Sequence, residues 1–509
     1  MKKILRFLIS RVFWFSLLIV VQIGIFAVIL FNISSYSTYL YAAFVLFSLI
    51  IVIWLVAKDD NPSYKITWII LIMTLPVVGW FFYLKFGNKT LPHRYWEIAA
   101  NEAAHPALFT AEEGDTAALL EQYPRHRVLT DYIRNISGFP AYGGTQVEYA
   151  PLGEDFFRQL MRELPKAKKF IFLEYFILEK GLMWDSVLEI LRERAAAGVE
   201  VCVIYDDFGC IQRLSASYPK ELAGFNIKAV PYNPMRPSMD PSLNYRDHRK
   251  ICVIDGQVGF TGGINLADEY INKVERFGHW KDTSVLLRGA AVRSLTRMFL
   301  QQWTLNAGSD TLDRPEEEYL TALALPAQGY VQPYPDSPLD HFNAAENAYL
   351  HLIQRADHYV YITTPYLILD NEFVTTLKTT AESGVDVRII TPSHPDKWYV
   401  HMVSRSYYQT LIQSGVKIYE YQPGFIHAKM CLCDDEAAMV GTANLDYRSL
   451  YLHYENAVLL YHTPVLAEIK KDIEETLEKS RLITIEELRS KLRGTSALCA
   501  LLKLLAPLM

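Results

Sequence analysis

The chain has 509 residues, with 50 Lys and Arg against 56 Asp and Glu, a formal net charge of −6. Hydrophobic residues make up 51% and charged residues 21%, which excludes a wholly disordered, collagen-like or disulfide-scaffold protein. The charge is uneven: residues 1–88 hold Lys2, Lys3, Arg6, Arg11, Lys58, Lys65 and Lys85 against Asp59 and Asp60, a net of +5, which leaves −11 on the rest. So acidic a remainder repels phosphate backbones, and no nucleic-acid partner is expected.

Three apolar runs open the chain: Val12–Phe31, Tyr39–Ala57 and Ile66–Leu84, none containing a charged residue. About 20 apolar residues cross a bilayer core as a helix, so residues 1–88 read as membrane segments. The first run is long for a signal peptide, and no small-residue cleavage site follows it. The third contains Pro76 and Gly79, which predict either a kinked span or a shallow re-entrant hairpin. The basic residues before the first run, and Lys58 and Lys65 before the third, place the N-terminus and the second loop in the cytoplasm. Three crossings would then put the large domain outside, and a re-entrant third run would keep it inside.

Residues 89–135 are polar and helix-like and read as a connector. Beyond them the chain repeats itself, which predicts one α/β unit over 136–325 and a second over 326–480. Phe170–Ile177 in the first unit and Tyr359–Ile368 in the second are apolar strand-like runs. Each leads through a helix into a Gly–Val pair and a buried strand, RAAAGVEVCVIYDD at 194–207 and TAESGVDVRIITPS at 380–393. Gly198 and Gly384 fall where a helix end needs a left-handed residue. Cys202, Cys252, Cys431 and Cys433 lie in apolar runs and read as small core residues, which leans towards a reducing compartment. Residues 481–509 end in ALCALLKLLAPLM, too short to span; such a terminus either docks in the core or lies at the membrane interface, and the interface is expected beside a membrane anchor.

Each unit carries the same polar string. HRKICVIDGQVGFTGGIN runs from His248 to Asn265, and HAKMCLCDDEAAMVGTAN from His427 to Asn444, matched position for position. A carboxylate before an apolar strand follows each, Asp282 and Glu455. Strand residues two apart share a face, so His248 projects with Lys250, and His427 with Lys429. Two α/β repeats with matched polar sets predict a pseudo-twofold arrangement with one site at the seam. Two lysines and two asparagines would surround one anion there, and a phosphodiester suits such donors because its oxygens gain charge in the transition state. Asn265 and Asn444, with Gly263 and Thr442 of the same turns, are the expected phosphate-binding residues. One histidine attacks phosphorus and the other moves the proton. Asp282 and Glu455 orient the imidazoles. Asp255 and Asp434 belong to the signature but point to the opposite strand face, where they brace loops. The lysines supply the positive charge, so neither metal nor cofactor is expected.

The duplicated His-x-Lys-x4-Asp string resembles the phospholipase D superfamily. NYRDHRKICVIDG, TGGINLADEY, GTANLDYRSLYLHYEN, the WKD at 280–282, the helix start at Gly289–Trp303, YLKFG at 83–87 and the terminal LLAPLM are similar to bacterial cardiolipin synthases. The extra first apolar run and His453-Tyr454-Glu455, where that family often has Asn-Phe-Glu, depart from the pattern. The resemblance implies two phospholipase D-like αβα sandwich repeats behind two to three transmembrane or re-entrant helices, in a multi-pass protein of the bacterial cell membrane. It implies His248, Lys250, Asp255, His427, Lys429 and Asp434 as the catalytic set. It implies transfer of a phosphatidyl group from one phosphatidylglycerol to another, with His248 as nucleophile and membrane lipids as partners. A hydrolytic phospholipase D, or a transferase using another headgroup, is the alternative; a membrane-anchored nuclease or an inactive scaffold fits less well.

Overall fold

The computed structural model describes residues 38–58, 61–87, 105–109, 114–235, 241–340, 342–491 and 496–508, together with Gly24 and Val28. The run Val12–Phe31 lies, but for those two residues, outside them.

The second apolar run forms helix α1, Thr38–Ala57. The third is broken into α2, Pro62–Thr74, and α3, Pro76–Phe82. Leu75 separates them, at φ −129° and ψ 76°, an extended residue of the kind that precedes proline. The two helices fold back on each other so closely that a Cβ on Gly79 would lie 2.5 Å from the Leu71 carbonyl oxygen. Thirteen residues of helix rise only about 20 Å, short of the roughly 30 Å of a hydrocarbon core. The third run is therefore a hairpin and not a kinked span. Among the described residues no helix is long and apolar enough to cross a membrane. Ile51, Leu55, Trp68, Ile72 and Tyr83 form a separate small core for this hairpin.

The first repeat builds a seven-stranded sheet in the order β1-β9-β7-β6-β2-β3-β4. Its strands are β1 Thr145–Ala150, β2 Phe170–Tyr175, β3 Glu200–Asp206, β4 Ile227–Tyr232, β6 Lys250–Ile254, β7 Val258–Gly262 and β9 Ser284–Gly289. The short β5, Arg246–Asp247, and β8, His279–Lys281, lie outside it. In the second repeat the order is β10-β17-β16-β15-β11-β12-β13-β18. Here β10 is Tyr330–Asp336, β11 Tyr359–Thr363, β12 Asp386–Pro392, β13 Lys417–Tyr421, β14 Gly424–Ile426, β15 Met430–Cys433, β16 Ala437–Gly441, β17 His453–Tyr461 and β18 Ser480–Leu482. The first seven strands of each sheet match one for one, so the expected α/β repeats are present, each a mixed sheet. Because β18 pairs with β13, the second repeat runs to Leu482, past the expected boundary at 480.

Alternation along the strands sends side chains into two cores. Phe170 and Phe172 of β2 join a large core shared by both repeats, while Ile171 and Leu173 join a second one beneath the helices Gly153–Glu163 and Leu182–Ala196. The shared core includes α4, Val292–Ala307, and also Leu119, Leu129 and Ile133 of the expected connector. That connector is thus an integral part of the packing. Gly198 and Gly384 adopt φ +87° and +97° at the helix ends, as their positions predict. All six cysteines are buried, and none is joined in a disulfide.

The hairpin and the C-terminal helix meet. The C-terminal helix α6, Ser496–Leu505, packs against α2 and against α5, Trp398–Gln413. Thr67 Oγ1 donates to the Leu504 carbonyl at 2.7 Å. Leu498, Leu501 and Leu505 stay exposed, as do Ile50, Ile53, Ile66 and Ile70 of the hairpin region. We expect Gly79→Ala to drive α2 and α3 apart and to cost about 1–3 kcal/mol, read as a lowered thermal midpoint in detergent micelles.

Candidate active site

The site is made where each repeat lends a strand to the other. β5 runs parallel to the start of β17, with Arg246 opposite His453 and Asp247 opposite Tyr454. Equivalently, β14 runs parallel to β8, with Ile426 opposite Lys281. The exchange continues by one residue on each side: the His248 N–H donates to the Tyr454 carbonyl at 2.9 Å, and the His427 N–H to the Lys281 carbonyl at 2.7 Å. Each histidine is thereby delivered to the carboxylate of the opposite repeat. His248 Nδ1 lies 2.9 Å from both Glu455 oxygens. His427 Nδ1 lies 2.6 Å from Asp282 Oδ2. A carboxylate at Nδ1 holds a proton there and leaves Nε2 with its lone pair.

All four groups are buried, as are both lysines. Lys250 Nζ donates to the His248 carbonyl and Lys429 Nζ to the His427 carbonyl, so each ammonium is pinned beneath its own imidazole. Burial pushes the His248 imidazole down to about 3, against the pull of Glu455 and with a further push from Lys250. His427 is pushed down to about 4 by burial and by Lys429. Burial also lowers Lys250 to about 7 and Lys429 to about 8, and each feels the carboxylates of both repeats. Both carboxyls stay below their ordinary range despite burial, held there by their imidazoles. At neutral pH the site therefore holds two neutral imidazoles, two carboxylates and two ammonium groups poised to lose protons.

Several expected residues are placed differently. Asn265 is spent: the Ile177 N–H donates to its Oδ1 at 3.0 Å and its Nδ2 donates to the Tyr270 hydroxyl at 2.7 Å. Asn444 is its counterpart, and its buried Oδ1 has no hydrogen-bond partner. Gly263 and Thr442, expected at the phosphate, sit behind the carboxylates. Thr442 Oγ1 donates to Glu455 Oε2. A Cβ on Gly263 would lie 2.1 Å from Asp282 Oδ1, and its N–H is taken by the Thr283 carbonyl. Asp255 and Asp434, grouped with the catalytic set by the signature, stand at the far ends of β6 and β15. Each adopts positive φ, +54° and +50°. Asp255 accepts the N–H groups of Lys168, Lys169 and Phe170; Asp434 accepts those of Asp357, His358 and Tyr359. They tie down the entries to β2 and β11, five residues of strand or about 16 Å from the lysines. They brace loops, as their strand face predicts, and do not reach the imidazoles.

Sequence reading missed the aromatic walls. Phe176 meets His248 edge-on at 5.1 Å, and Tyr270 and Trp280 flank His427 at 5.7 and 5.3 Å. All three lie in strings already noted, but aromatic residues beside strands read as ordinary core. Phe176 also lines a cavity of about 780 Å³ with Phe208, Arg213, Glu269 and Arg276, within the size range of small-molecule sites. The cap of α2 reaches the second repeat: Asn61 Nδ2 donates to the Tyr451 hydroxyl at 3.1 Å, in the helix Tyr447–Tyr451 that follows Asn444.

The family model "Cardiolipin synthase, PLD-like domain" matches residues 160–303 and 349–477, and "Phospholipase_D-nuclease N-terminal" matches 43–88. The chain belongs to the phospholipase D-like cardiolipin synthase family. A cardiolipin synthase of Geobacillus sp. (strain WCH70) is 36% identical over 89% of this chain and 90% of its own length. Cardiolipin synthase 2 of Bacillus anthracis is 34% identical over 89% and 88%, and an uncharacterized protein of Streptococcus mutans is 44% identical over 90% and 99%. In fold, the chain resembles the phosphatidylserine synthase of Haemophilus influenzae, with a TM-score of 0.57 at 18% identity, over 75% of this chain and 99% of that one. As a member of this family the chain is a phosphatidyltransferase, acting on phospholipids.

The crosswise pairing makes each carboxylate answerable for the opposite histidine. Glu455→Gln and Asp282→Asn are each expected to lower the turnover number about 10²-fold or more while lipid binding, read by vesicle co-sedimentation, is kept.

Proposed function

We propose that the protein is a cardiolipin synthase that joins two phosphatidylglycerol molecules through a phosphatidyl-histidine intermediate. The observation that carries this reading is the pair of imidazoles, one from each repeat, each held by the other repeat's carboxylate over its own lysine. His248 Nε2 attacks phosphorus of the first lipid, and the bond from phosphorus to the glycerol oxygen breaks. That oxygen takes a proton from His427 Nε2, and glycerol leaves. The terminal hydroxyl of the second phosphatidylglycerol then gives its proton to His427 and attacks phosphorus. The phosphorus–nitrogen bond breaks, cardiolipin departs and His248 is restored.

His427 must be an imidazolium in the first half-reaction, although the free site holds it neutral. The phosphodiester brings a negative charge into this low-dielectric site and favours that proton. Lys250 and Lys429 face the same charge and stabilise it as it grows in the transition state. Asn444, with its free carbonyl oxygen, is the asparagine available to a substrate hydroxyl, whereas Asn265 supports Tyr270.

The proposed setting is a membrane, since both substrates are bilayer lipids. The exposed apolar side chains of the hairpin and of α6 form its contact surface. The loop carrying Lys58 and Lys65 is bound to the catalytic repeats through Asn61, so the two share one side of that membrane. The positive-inside rule makes it the cytoplasmic side. The hairpin would then enter that membrane without crossing it.

Purified full-length protein given phosphatidylglycerol in micelles should yield cardiolipin and glycerol in equal amounts. Phosphatidic acid as the sole product would replace the transferase reading by a hydrolase. His248→Ala and His427→Ala should each cut the rate at least about 10³-fold. The pH profile tests the lysines. Their proton affinities are lowered, so raising the pH removes the charge: kcat/KM should fall as the pH rises past about 4, where free His427 loses the proton the first half-reaction needs, and more steeply above neutrality as Lys250, near 7, and Lys429, near 8, deprotonate. Bound phosphodiester strengthens the ammonium form, so the alkaline limb of kcat should lie at higher pH than that of kcat/KM.

A further inference from the structure

His453 is a third histidine in the site, and the mechanism does not use it. It opens β17 two residues before Glu455 and so shares its strand face. Its ring lies 5.5 Å from that of His248. Its Nδ1 is 3.6 Å from Glu455 Oε1 and is buried without a hydrogen-bond partner. One donor atom from each of His248, His453 and Glu455 falls within 4.8 Å of the others. Two imidazoles and a carboxylate at this spacing are the donor set of a three-ligand zinc site with a fourth position left for solvent.

We propose that His248, His453 and Glu455 form an inhibitory site for a divalent transition-metal ion of the zinc type. The inhibition follows from tautomer chemistry and rests on His248 being the nucleophile of the transferase reading. In the resting site the proton of His248 is on Nδ1, facing Glu455, and the lone pair is on Nε2. A metal ion takes the lone pair of Nδ1, so the proton moves to Nε2 and nothing is lost from the ring overall. Nε2 then has no pair with which to attack phosphorus. Mg²⁺ prefers oxygen ligands in an octahedron and should not compete. Lys250 and Arg448 face the cluster, and their charge keeps the metal exchangeable.

Another histidine pair shows the contrast. His126 Nε2 and His462 Nε2 are 3.0 Å apart, near Glu436. There, Arg355 donates to His126 Nδ1, which obliges Nε2 to carry the proton and to donate it to His462. That pair is a hydrogen bond with no lone pair of His126 to spare, whereas Nδ1 of His453 faces the Glu455 carboxylate at 3.6 Å, with no donor among the described residues hydrogen-bonded to it.

Full-length protein in detergent micelles should be titrated with Co²⁺, watching the visible absorption of the tetrahedral ion, and with Zn²⁺ in the transfer assay. One tetrahedral Co²⁺ per chain is expected, displaced by Zn²⁺ and lost in both His453→Asn and Glu455→Gln, with circular dichroism confirming that both variants fold. Zn²⁺ should inhibit the parent protein, and the half-inhibiting concentration should rise about tenfold or more in His453→Asn, each variant being compared with its own metal-free rate. Absence of the band, or an unchanged band in His453→Asn, overturns the site. A band that behaves as expected while Zn²⁺ leaves the rate untouched overturns the inhibition. The cobalt spectrum does not depend on the lipid product, so failure of the synthase reading and failure of the metal site are read separately.

Discussion

Two short parallel strand pairs, β5 on β17 and β14 on β8, set the chemistry of this molecule. They cross the seam in opposite senses, so the peptide groups shortly before Lys250 and Lys429 pair with strands of the other repeat. A backbone hydrogen bond is strict about position and angle. It therefore fixes where the imidazole stands more firmly than side-chain packing alone would. The carboxylate reaches the ring from the same partner strand: Glu455 follows Tyr454, which receives the His248 N–H, and Asp282 follows Lys281, which receives that of His427. Neither His248 nor His427 finds its carboxylate within its own repeat.

Such a site concentrates charge where water is scarce. Lys250, Lys429, Asp282 and Glu455 are all buried, two of each sign. Isolated, each would be costly; together they nearly cancel. The symmetry is broken one layer out. Arg249, on the other face of the His248 strand, pairs with Glu174 at 2.7 Å and Asp247 at 3.1 Å. The equivalent position after His427 is Ala428. Glu455 is gripped by Thr442, whereas Asp282 lies against a glycine. A shorter carboxylate in one repeat and a longer one with a hydroxyl in the other give the two imidazoles different surroundings.

The ends of the chain complete the surroundings. Asn61 of the N-terminal segment and Leu504 of the C-terminal helix are held together through α2, and Asn61 also binds Tyr451 and Asp370. The apolar surface of the hairpin is thereby tied to the helix that follows Asn444.

The α/β class, the two repeats and the paired histidines were legible in the sequence because they are written in local spacing. The strand period of two puts His248 with Lys250 on one face and Asp255 on the other. Glycine at a helix end marks Gly198 and Gly384. The roles of Gly263, Asn265 and Thr442 were not legible, since spacing brings a residue near a site without saying which neighbour takes its hydrogen bond. The third apolar run was ambiguous for a like reason: proline allows a kink or a hairpin, and the packing of Gly79 on Leu71 decides. Short-range pattern alone determined that the chain holds two α/β halves, each with its own His-x-Lys pair. Only the tertiary structure decided that each histidine belongs to the other half's carboxylate, because that pairing joins residues 207 and 145 positions apart, and no local rule reaches so far.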